Sequence, residues 1–184
     1  QARNRQVFAE KWADALTRQP APGTPVADVM HRQRRRILII DSVLPEASRD
    51  CGSLRLTSIF RLLREQGWDV TFYPDNGRAD AHGIETLGRL GVEVTCRPWV
   101  TDAPAWLRRH GRQLHAVMLC RYPVAEQYAA LVRRHAPQAM LIFDTVDLHF
   151  LRERRAAELS GSAALMRLAD DSRRGELAQV QSSD

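Results

Sequence analysis

Five short apolar runs recur along this chain, and each of the first four is followed by a stretch whose apolar residues have helical spacing. The runs are Ile37 to Asp41, Val70 to Tyr73, Val92 to Cys96, Ala116 to Cys120 and Met140 to Asp144. They do not alternate apolar with polar residues, which is typical of strands buried between two layers of helices. The pattern predicts an α/β fold with a doubly wound parallel sheet of five or more strands.

The connections between the runs carry the signals of crossover helices. In the first connection Leu56, Phe60 and Leu63 fall on one helical face, and Gly67 is placed to end the helix in a left-handed conformation. Because crossovers between parallel strands are right-handed, we expect a doubly wound strand order such as 3-2-1-4-5. Ligands of such sheets bind at the carboxyl ends of the strands, so the loops that follow the runs are candidate sites.

The chain begins with a helical pattern that a proline-rich segment terminates, with apolar positions at Val7, Phe8, Trp12 and Leu16. We assign residues 1–35 to a helix and linker from a preceding domain, 36–160 to the α/β domain, and 161–184 to a polar tail or interdomain segment. Since residue 1 is glutamine and the first stretch lacks the apolar core of a secretory signal, we expect a piece of a longer protein.

Composition narrows the class of protein. With 44% hydrophobic and 27% charged residues the chain has a globular balance, and no apolar run approaches the roughly 20 residues of a membrane-spanning helix. Three cysteines without disulfide or zinc spacing favour a cytoplasmic location. The net charge of +5 is compatible with peripheral association at an anionic membrane face. The arginines lack interleaved aromatic residues, so we expect no nucleic-acid partner.

The loop after the first run is long for a strand-to-helix connection, which takes about 2 to 6 residues. It ends with Asp50, Cys51, Gly52 and Ser53, and Arg55 follows in the helix. Glycine lets the backbone approach a ligand, serine can cap the helix, and the N–H groups of a helix start attract phosphate. The same residues can equally do no more than start a helix. The loop matches neither the GxGxxG dinucleotide fingerprint nor a Walker loop.

The segment after the fifth run brings two carboxylates and an imidazole to the same predicted edge. Asp144, Asp147 and His149 lie in one short stretch. A histidine there can move a proton near neutral pH, and a carboxylate can orient it or accept a sugar hydroxyl. We take His149 and Asp147 as candidate catalytic residues and Asp144 as a substrate-binding candidate. Alternatively, Asp147 caps the next helix and His149 packs at its first turn. No further ligand completes a metal site, so we expect no metal.

Two other groups near strand ends are candidates for substrate binding. Arg121 and Tyr122 follow the fourth run, where arginine can pair with an anion and tyrosine can stack on a sugar ring. An ordinary surface position is equally compatible with both. Trp99 and Trp106, after the third run, can form a platform for an acceptor, although packing against the core is the favoured interpretation.

Taken together, these motifs resemble the N-terminal domain of family 4 glycosyltransferases. The residues that carry the resemblance are Arg36 to Asp41, Pro45, Asp50, Gly52 to Arg55, Leu62, Leu63, Gly67, Asp69 to Phe72, Asp75 and Asn76. The stretches Leu90 to Val94 and Asp144 to Glu153 are similar to a bacterial subgroup associated with surface polysaccharide assembly, such as O-antigen or capsule. The resemblance covers residues 36–160 of this sequence.

The resemblance implies the Rossmann-like, acceptor-side half of a GT-B enzyme. A glycan or lipid-linked acceptor would bind to this half, and a C-terminal domain would bind the nucleotide-sugar donor. Gly52 and Ser53 would approach the donor diphosphate, and His149 or its neighbours would reach the transferred sugar. Where the family has paired glycines, this chain has Cys51 and Gly52. The resemblance also implies retaining transfer of a hexosyl-type sugar without metal or cofactor, and no activity of this chain without the donor-binding domain.

A shorter resemblance concerns the start of the chain. Asn4, Arg5, Phe8, Lys11, Trp12 and Leu16 are similar to the closing helix of a family 2 glycosyltransferase domain. It implies a parent protein with two transferases in tandem, joined by residues 17–35.

Two other functions share the predicted architecture. A receiver-like signalling module has a similar first strand, but it requires a phosphoacceptor aspartate at the end of the third strand and a lysine at the end of the fifth. The sequence has neither. A noncatalytic module that binds sugar or a protein partner differs from the transferase in lacking the donor domain.

Overall fold

The computed structural model describes residues 2–17, 23, 34–100 and 102–184. Contacts divide the chain into two compact units, Gln1–Arg34 and Arg35–Asp184. The first unit contains helices α1 (Ala2–Lys11) and α2 (Ala13–Thr17). The helical pattern at the start of the sequence is therefore interrupted at Trp12. Most of the predicted linker lies outside the described residues.

The second unit is built on one five-stranded sheet. Its strands are β1 (Arg36–Asp41), β2 (Asp69–Pro74), β3 (Val92–Val94), β4 (Ala116–Cys120) and β5 (Met140–Asp144). All neighbouring strands are parallel, in the order β3-β2-β1-β4-β5. The predicted fold class and strand order are confirmed. β3 is shorter than the predicted run and ends at Val94 instead of Cys96.

Helices connect the strands and cover both faces of the sheet. They are α3 (Cys51–Glu65), α4 (Ala81–Arg89), α5 (Ala103–His110), α6 (Tyr122–His135), α7 (His149–Ser160) and α8 (Ala163–Ser182). A short 3-10 turn, Gly111–Gln113, separates α5 from β4. Among the described residues, none of the helices combines the length and the apolar character needed to cross a membrane.

Alternate residues of the central strand face opposite layers of helices. Ile37 and Ile39 pack in the layer that contains Phe60 of α3. Leu38 and Ile40 pack in the opposite layer, with residues of α5 and α6. Because both faces of β1 are buried, its run is apolar without interruption.

The first crossover helix ends as its sequence predicts. Gly67 has a φ of +79°, and its N–H donates to the carbonyl of Arg64 at 3.0 Å. The N–H of Trp68 then donates to the carbonyl of Leu63, also at 3.0 Å. Glycine adopts this left-handed conformation without steric cost, so the chain can turn directly from α3 into β2.

The last segment of the chain, which we expected to be a polar tail or interdomain connection, forms the long helix α8. This helix packs against α7 and α6. At its end the carboxylate of Asp184 accepts hydrogen bonds from the Leu141 N–H at 2.8 Å and from Arg133 at 2.9 Å. The segment therefore belongs to the same compact unit as the sheet. Small buried residues such as Ala157 and Ala169 let the helices approach closely with few large apolar side chains.

Candidate functional site at the carboxyl edge

The candidate site lies where β1, β4 and β5 end. Asp41 is the last residue of β1, Cys120 of β4 and Asp144 of β5. Cys120 pairs in register with Asp144, and the β1–β4 ladder runs up to Ile40 and Leu119. All three terminal residues are buried. Two buried carboxylates therefore flank one thiol at the carboxyl edge.

An arginine holds each of these carboxylates. Arg121 Nε donates to Asp41 Oδ1 at 2.9 Å, and Arg55 Nη1 donates to Asp144 Oδ2 at 2.6 Å. The backbone N–H of Val146 donates to the other oxygen of Asp144 at 3.2 Å. Three predicted substrate-binding residues, Arg55, Arg121 and Asp144, are thus brought to one edge, where they take part in ion pairs.

Burial raises the pKa of two groups at this edge, Asp41 and Cys120. Loss of water raises the pKa of Asp41, although the N–H of Ser42 and the guanidinium of Arg121 oppose the shift. Burial also raises the pKa of the Cys120 thiol well above its ordinary value, and the neighbouring carboxylates of Asp41 and Asp144 add to this effect. Cys120 is therefore a protonated, unreactive thiol.

Asp50 caps α3. Its Oδ1 accepts the Ser53 N–H at 2.8 Å, and its Oδ2 accepts the Ser53 hydroxyl at the same distance. Of the two alternatives for Ser53, the structure shows the one in which it takes part in starting the helix without capping it, because the helix begins at Cys51 and Ser53 lies inside its first turn. The two hydrogen bonds lower the pKa of Asp50. An incoming anion must share the helix start with this carboxylate or displace it.

Gly52 is the point where three loops meet. A Cβ on residue 52 would lie 3.1 Å from Asp50 Oδ1, 3.4 Å from Arg121 Nη2 and 3.4 Å from Val146 Cγ1. The loops after β1, β4 and β5 therefore contact one another at the carboxyl edge. Gly52 lies at the same edge as the segment after β5 that leads to His149.

Two residues at this edge have strained backbones. Arg121 has a φ of 76° and Val146 a φ of 59°, and no other non-glycine residue in the described ranges has a positive φ. This conformation is rare for residues with a side chain and most unusual for a β-branched one. It costs about 1–3 kcal/mol for each residue and persists where the surroundings enforce it, often at functional sites. At this edge the carboxylate of Asp41 accepts a hydrogen bond from the Arg121 side chain, and the carboxylate of Asp144 accepts one from the Val146 N–H.

The two predicted catalytic residues are adjacent. His149 Nδ1 lies 3.7 Å from Asp147 Oδ1, and His149 Nε2 lies 2.8 Å from Arg152 Nη2. A guanidinium can only donate, so Nε2 accepts and the proton of the neutral imidazole is assigned to Nδ1, facing Asp147. Arg152 also pairs with Asp147 Oδ2. Within the part of the chain that the structure describes, Asp147 Oδ1 and His149 Nδ1 are buried atoms without a hydrogen-bond partner.

The alternative in which Asp147 caps the following helix is not what the structure shows. The N-cap of α7 is Leu148, which makes no side-chain cap. Instead the N–H groups of His149 and Phe150 donate to the carboxylate of Glu176 in α8, each at 3.3 Å. His149 is the first residue of α7, and its side chain is 17% exposed.

The aromatic candidates differ in their environments. Tyr122 donates its hydroxyl to Glu126 at 2.8 Å, and burial together with this hydrogen bond raises the pKa of Tyr122 to about 12. Trp106 packs against the core, as favoured from the sequence. For Trp99 the packing expectation is wrong, because its side chain is 76% exposed in the loop before α5. Both tryptophans line a pocket together with Asp102, Arg109 and His110.

Three residues of this site were not among the sequence-based candidates. Asp41 could have been found, because it is the terminal carboxylate of the first strand. Arg152 lies three residues after His149, on the same helical face, so helical spacing could have indicated it. Glu176 had no signal in the sequence, because its contact with His149 spans 27 residues and two helices.

In the described ranges no three His, Cys, Asp or Glu side chains are grouped so that they could hold a metal ion. Comparison of the chain with protein-family models, with curated proteins and with solved structures gave no match in any of the three.

Proposed function

We propose that the Arg35–Asp184 unit is the acceptor-side domain of a nucleotide-sugar-dependent glycosyltransferase in bacterial surface polysaccharide synthesis. The observation that supports this most is that Gly52, Arg121 and Val146 lie together at the carboxyl edge of a parallel sheet, where a Cβ on residue 52 would be 3.4 Å from each of the other two side chains. Doubly wound sheets bind their ligands at this edge. The Asp147–His149 pair follows directly in the loop after β5.

The arginines of the edge supply charge for a diphosphate. Arg121 uses Nε to bind Asp41, whereas its Nη2 lies beside Gly52. The planar fork of a guanidinium can bind two groups at once, so Arg121 can keep its carboxylate and also donate to a phosphate oxygen. Because residue 52 has no side chain, a phosphate that displaces the Asp50 carboxylate from the Ser53 N–H can approach the start of α3 there.

The Asp147–His149 pair supplies a proton-transfer group for a sugar hydroxyl. His149 Nε2 is occupied by Arg152, whose side chain is 59% exposed. A phosphate that binds the Arg152 guanidinium frees Nε2 to accept a hydroxyl proton. Asp147 then accepts from Nδ1–H and balances the charge of the imidazolium. The proposed roles are therefore proton transfer for His149 and orientation for Asp147.

A transfer assay tests this function. The protein is combined with the donor-binding domain that the proposal requires, and release of nucleoside diphosphate from a panel of nucleotide-sugars is measured with glycan and lipid-linked acceptors. We expect transfer in the wild type and a loss of about 10²- to 10⁴-fold in His149→Gln. The matched control is His82→Gln, an exposed histidine of α4 that should not matter. Absence of transfer and hydrolysis with every donor would contradict the proposal.

A further inference from the structure

Glu176 is a carboxylate with no exposed surface in the middle of α8. Its oxygens accept the N–H groups of His149 and Phe150, each at 3.3 Å. These are the first two N–H groups of α7, which have no partner inside their own helix. The start of a helix also carries positive partial charge, which favours an anion. Glu176 therefore caps α7 from a neighbouring helix.

This cap differs from an ordinary N-cap in two respects. The capping residue comes from another helix, and its carboxylate is fully buried. A capping side chain usually comes from the residue before the helix, but Leu148 cannot serve. A fully buried carboxylate is unfavourable unless hydrogen bonds compensate for the lost water. Across the described residues no arginine or lysine forms an ion pair with Glu176, so the N–H groups of α7 are its observed partners.

Close packing of α8 against Tyr122 of α6 helps to place Glu176 at the start of α7. The preceding residue is Gly175, where a Cβ would lie only 2.1 Å from the Tyr122 hydroxyl oxygen. Any side chain at 175 would push α8 and the Tyr122 ring apart. Tyr122 is itself held by its hydrogen bond to Glu126. The absence of a side chain at 175 therefore allows the close approach that buries Glu176.

We propose that Glu176 is a positioning residue for His149, because its carboxylate fixes the start of α7 and thereby holds the imidazole between Asp147 and Arg152. The inference rests on the proposed role of His149 in sugar transfer. The backbone N–H of His149 is bound by Glu176, while its two ring nitrogens face Asp147 and Arg152. Without the cap the first turn of α7 frays, and the ring loses its fixed place beside Asp147.

Nitrogen NMR of the histidine rings tests the positioning directly in this chain. The ring nitrogen shifts of ¹⁵N-histidine-labelled protein are recorded at alkaline pH, where imidazoles are neutral, and His149→Gln identifies the signals of His149. We expect one dominant tautomer with the proton on Nδ1 in the wild type. In Glu176→Gln, where one acceptor oxygen becomes a donor, the two nitrogen shifts should move toward each other, with a larger change in Glu176→Ala.

Val132→Ala is the control, since Val132 is fully buried in α6 and removing its two methyl groups disturbs the core without touching the start of α7. Its His149 signals should match the wild type. If Glu176→Ala does not fold, Glu176→Gln decides the test, because it keeps the size of the side chain. Wild-type ring signals in Glu176→Gln would overturn the proposal.

Kinetics separate this inference from the function on which it rests. In the transfer assay Glu176→Gln should lower kcat, by up to about 10²-fold if His149 moves by 1 Å, and leave the acceptor KM unchanged. A shift of the His149 signals in Glu176→Gln supports the positioning role even if the wild type transfers no sugar, an outcome that would contradict the transferase function alone. Equal kcat in Glu176→Gln and an active wild type would overturn the positioning role.

Discussion

Arg55 on α3 and Asp144 at the end of β5 form an ion pair with an Nη1–Oδ2 distance of 2.6 Å. The pair joins residues 89 positions apart and connects the first crossover helix to a strand at the edge of the sheet. Asp144 is 8% exposed and Arg55 52% exposed, so the carboxylate lies in the protein and the guanidinium reaches it from the surface. This contact helps to fix the start of α3 against the loop after β5.

Replacement of Asp144 by alanine should destabilise the protein. The change removes the partner of Arg55 and also leaves the Val146 N–H without its acceptor. Hydrogen bonds that involve a charged group contribute about 1.5–3 kcal/mol, and we expect a loss of free energy of unfolding in that range. Urea denaturation followed by circular dichroism measures it. The control is Glu85→Ala. Both side chains of the Glu85–Arg89 ion pair are largely exposed, so this pair should contribute at most about 0.5 kcal/mol to the free energy of unfolding. Equal losses in the two variants would contradict the importance of burial.

The stability of the protein should depend on pH through Asp41. Burial raises the pKa of Asp41 in the folded state above its ordinary value of 3.8. The folded state therefore binds this proton more tightly than the unfolded chain, and the resulting stability is lost as the pH rises through the folded pKa. The stability of the wild type relative to Asp41→Asn should increase as the pH falls from neutral toward 3.8. Urea midpoints of both proteins across this range measure the difference.

Asp184 is a control for this pH series, because its pKa is shifted in the opposite direction from that of Asp41. Its hydrogen bonds with Arg133 and the Leu141 N–H lower its pKa below 3.8. The stability that it contributes is present above that value and is lost only at lower pH. The difference between the wild type and Asp184→Asn should therefore stay constant in the range where the Asp41→Asn difference changes. A constant difference for both variants would show that Asp41 is not buried as described.

Gly52→Ala should reduce ligand affinity at the carboxyl edge. It should also lack the gain in stability that alanine usually gives when it replaces a glycine within a helix. Its Cβ would be 3.1 Å from Asp50 Oδ1 and close to Arg121 and Val146, which narrows the opening. Gly88→Ala is the matched control, because its added Cβ has no atom within 4 Å apart from its chain neighbours and the backbone of its own helix. We expect Gly88→Ala to stabilise the protein by about 0.5–1 kcal/mol and Gly52→Ala to gain less. Calorimetric titration with nucleoside diphosphates, on each protein combined with the donor-binding domain, should show weaker binding in Gly52→Ala and unchanged binding in Gly88→Ala. Equal affinities in Gly52→Ala and the wild type would argue against a phosphate at residue 52.

Thiol labelling should report on the same opening. Cys51 is exposed at the start of α3, whereas Cys96 and Cys120 are buried. Burial also raises the pKa of both buried thiols, which slows their reaction further. With Ellman's reagent we expect one fast thiol in the folded protein, and Cys51→Ser should remove it. Nucleoside diphosphate should slow the fast phase if the ligand covers the start of α3. A fast phase that persists in Cys51→Ser would contradict the burial of the other two thiols.

Local patterns in the sequence were sufficient to predict the architecture. Runs such as Ile37 to Asp41 and Ala116 to Cys120 are apolar throughout because both faces of those strands are covered. Gly67 ends its helix because only glycine adopts the left-handed conformation without cost. The doubly wound arrangement follows from right-handed crossovers, which depend on the chirality of the chain and not on any particular contact. The sequence therefore predicts that Asp147 and His149 lie at the carboxyl edge of the sheet.

Tertiary structure alone decided how the side chains at that edge are paired. Asp50 and not Ser53 caps α3, Arg55 binds Asp144, and Glu176 caps α7 from a helix that the sequence suggested was a polar tail. Each of these outcomes depends on which groups approach within hydrogen-bond distance after the layers pack. The spacing of apolar residues indicates which face of a helix or strand is buried, because burial of apolar surface is not directional. Hydrogen bonds and ion pairs are directional and short-ranged, so their partners are set only when residues distant in sequence are brought together.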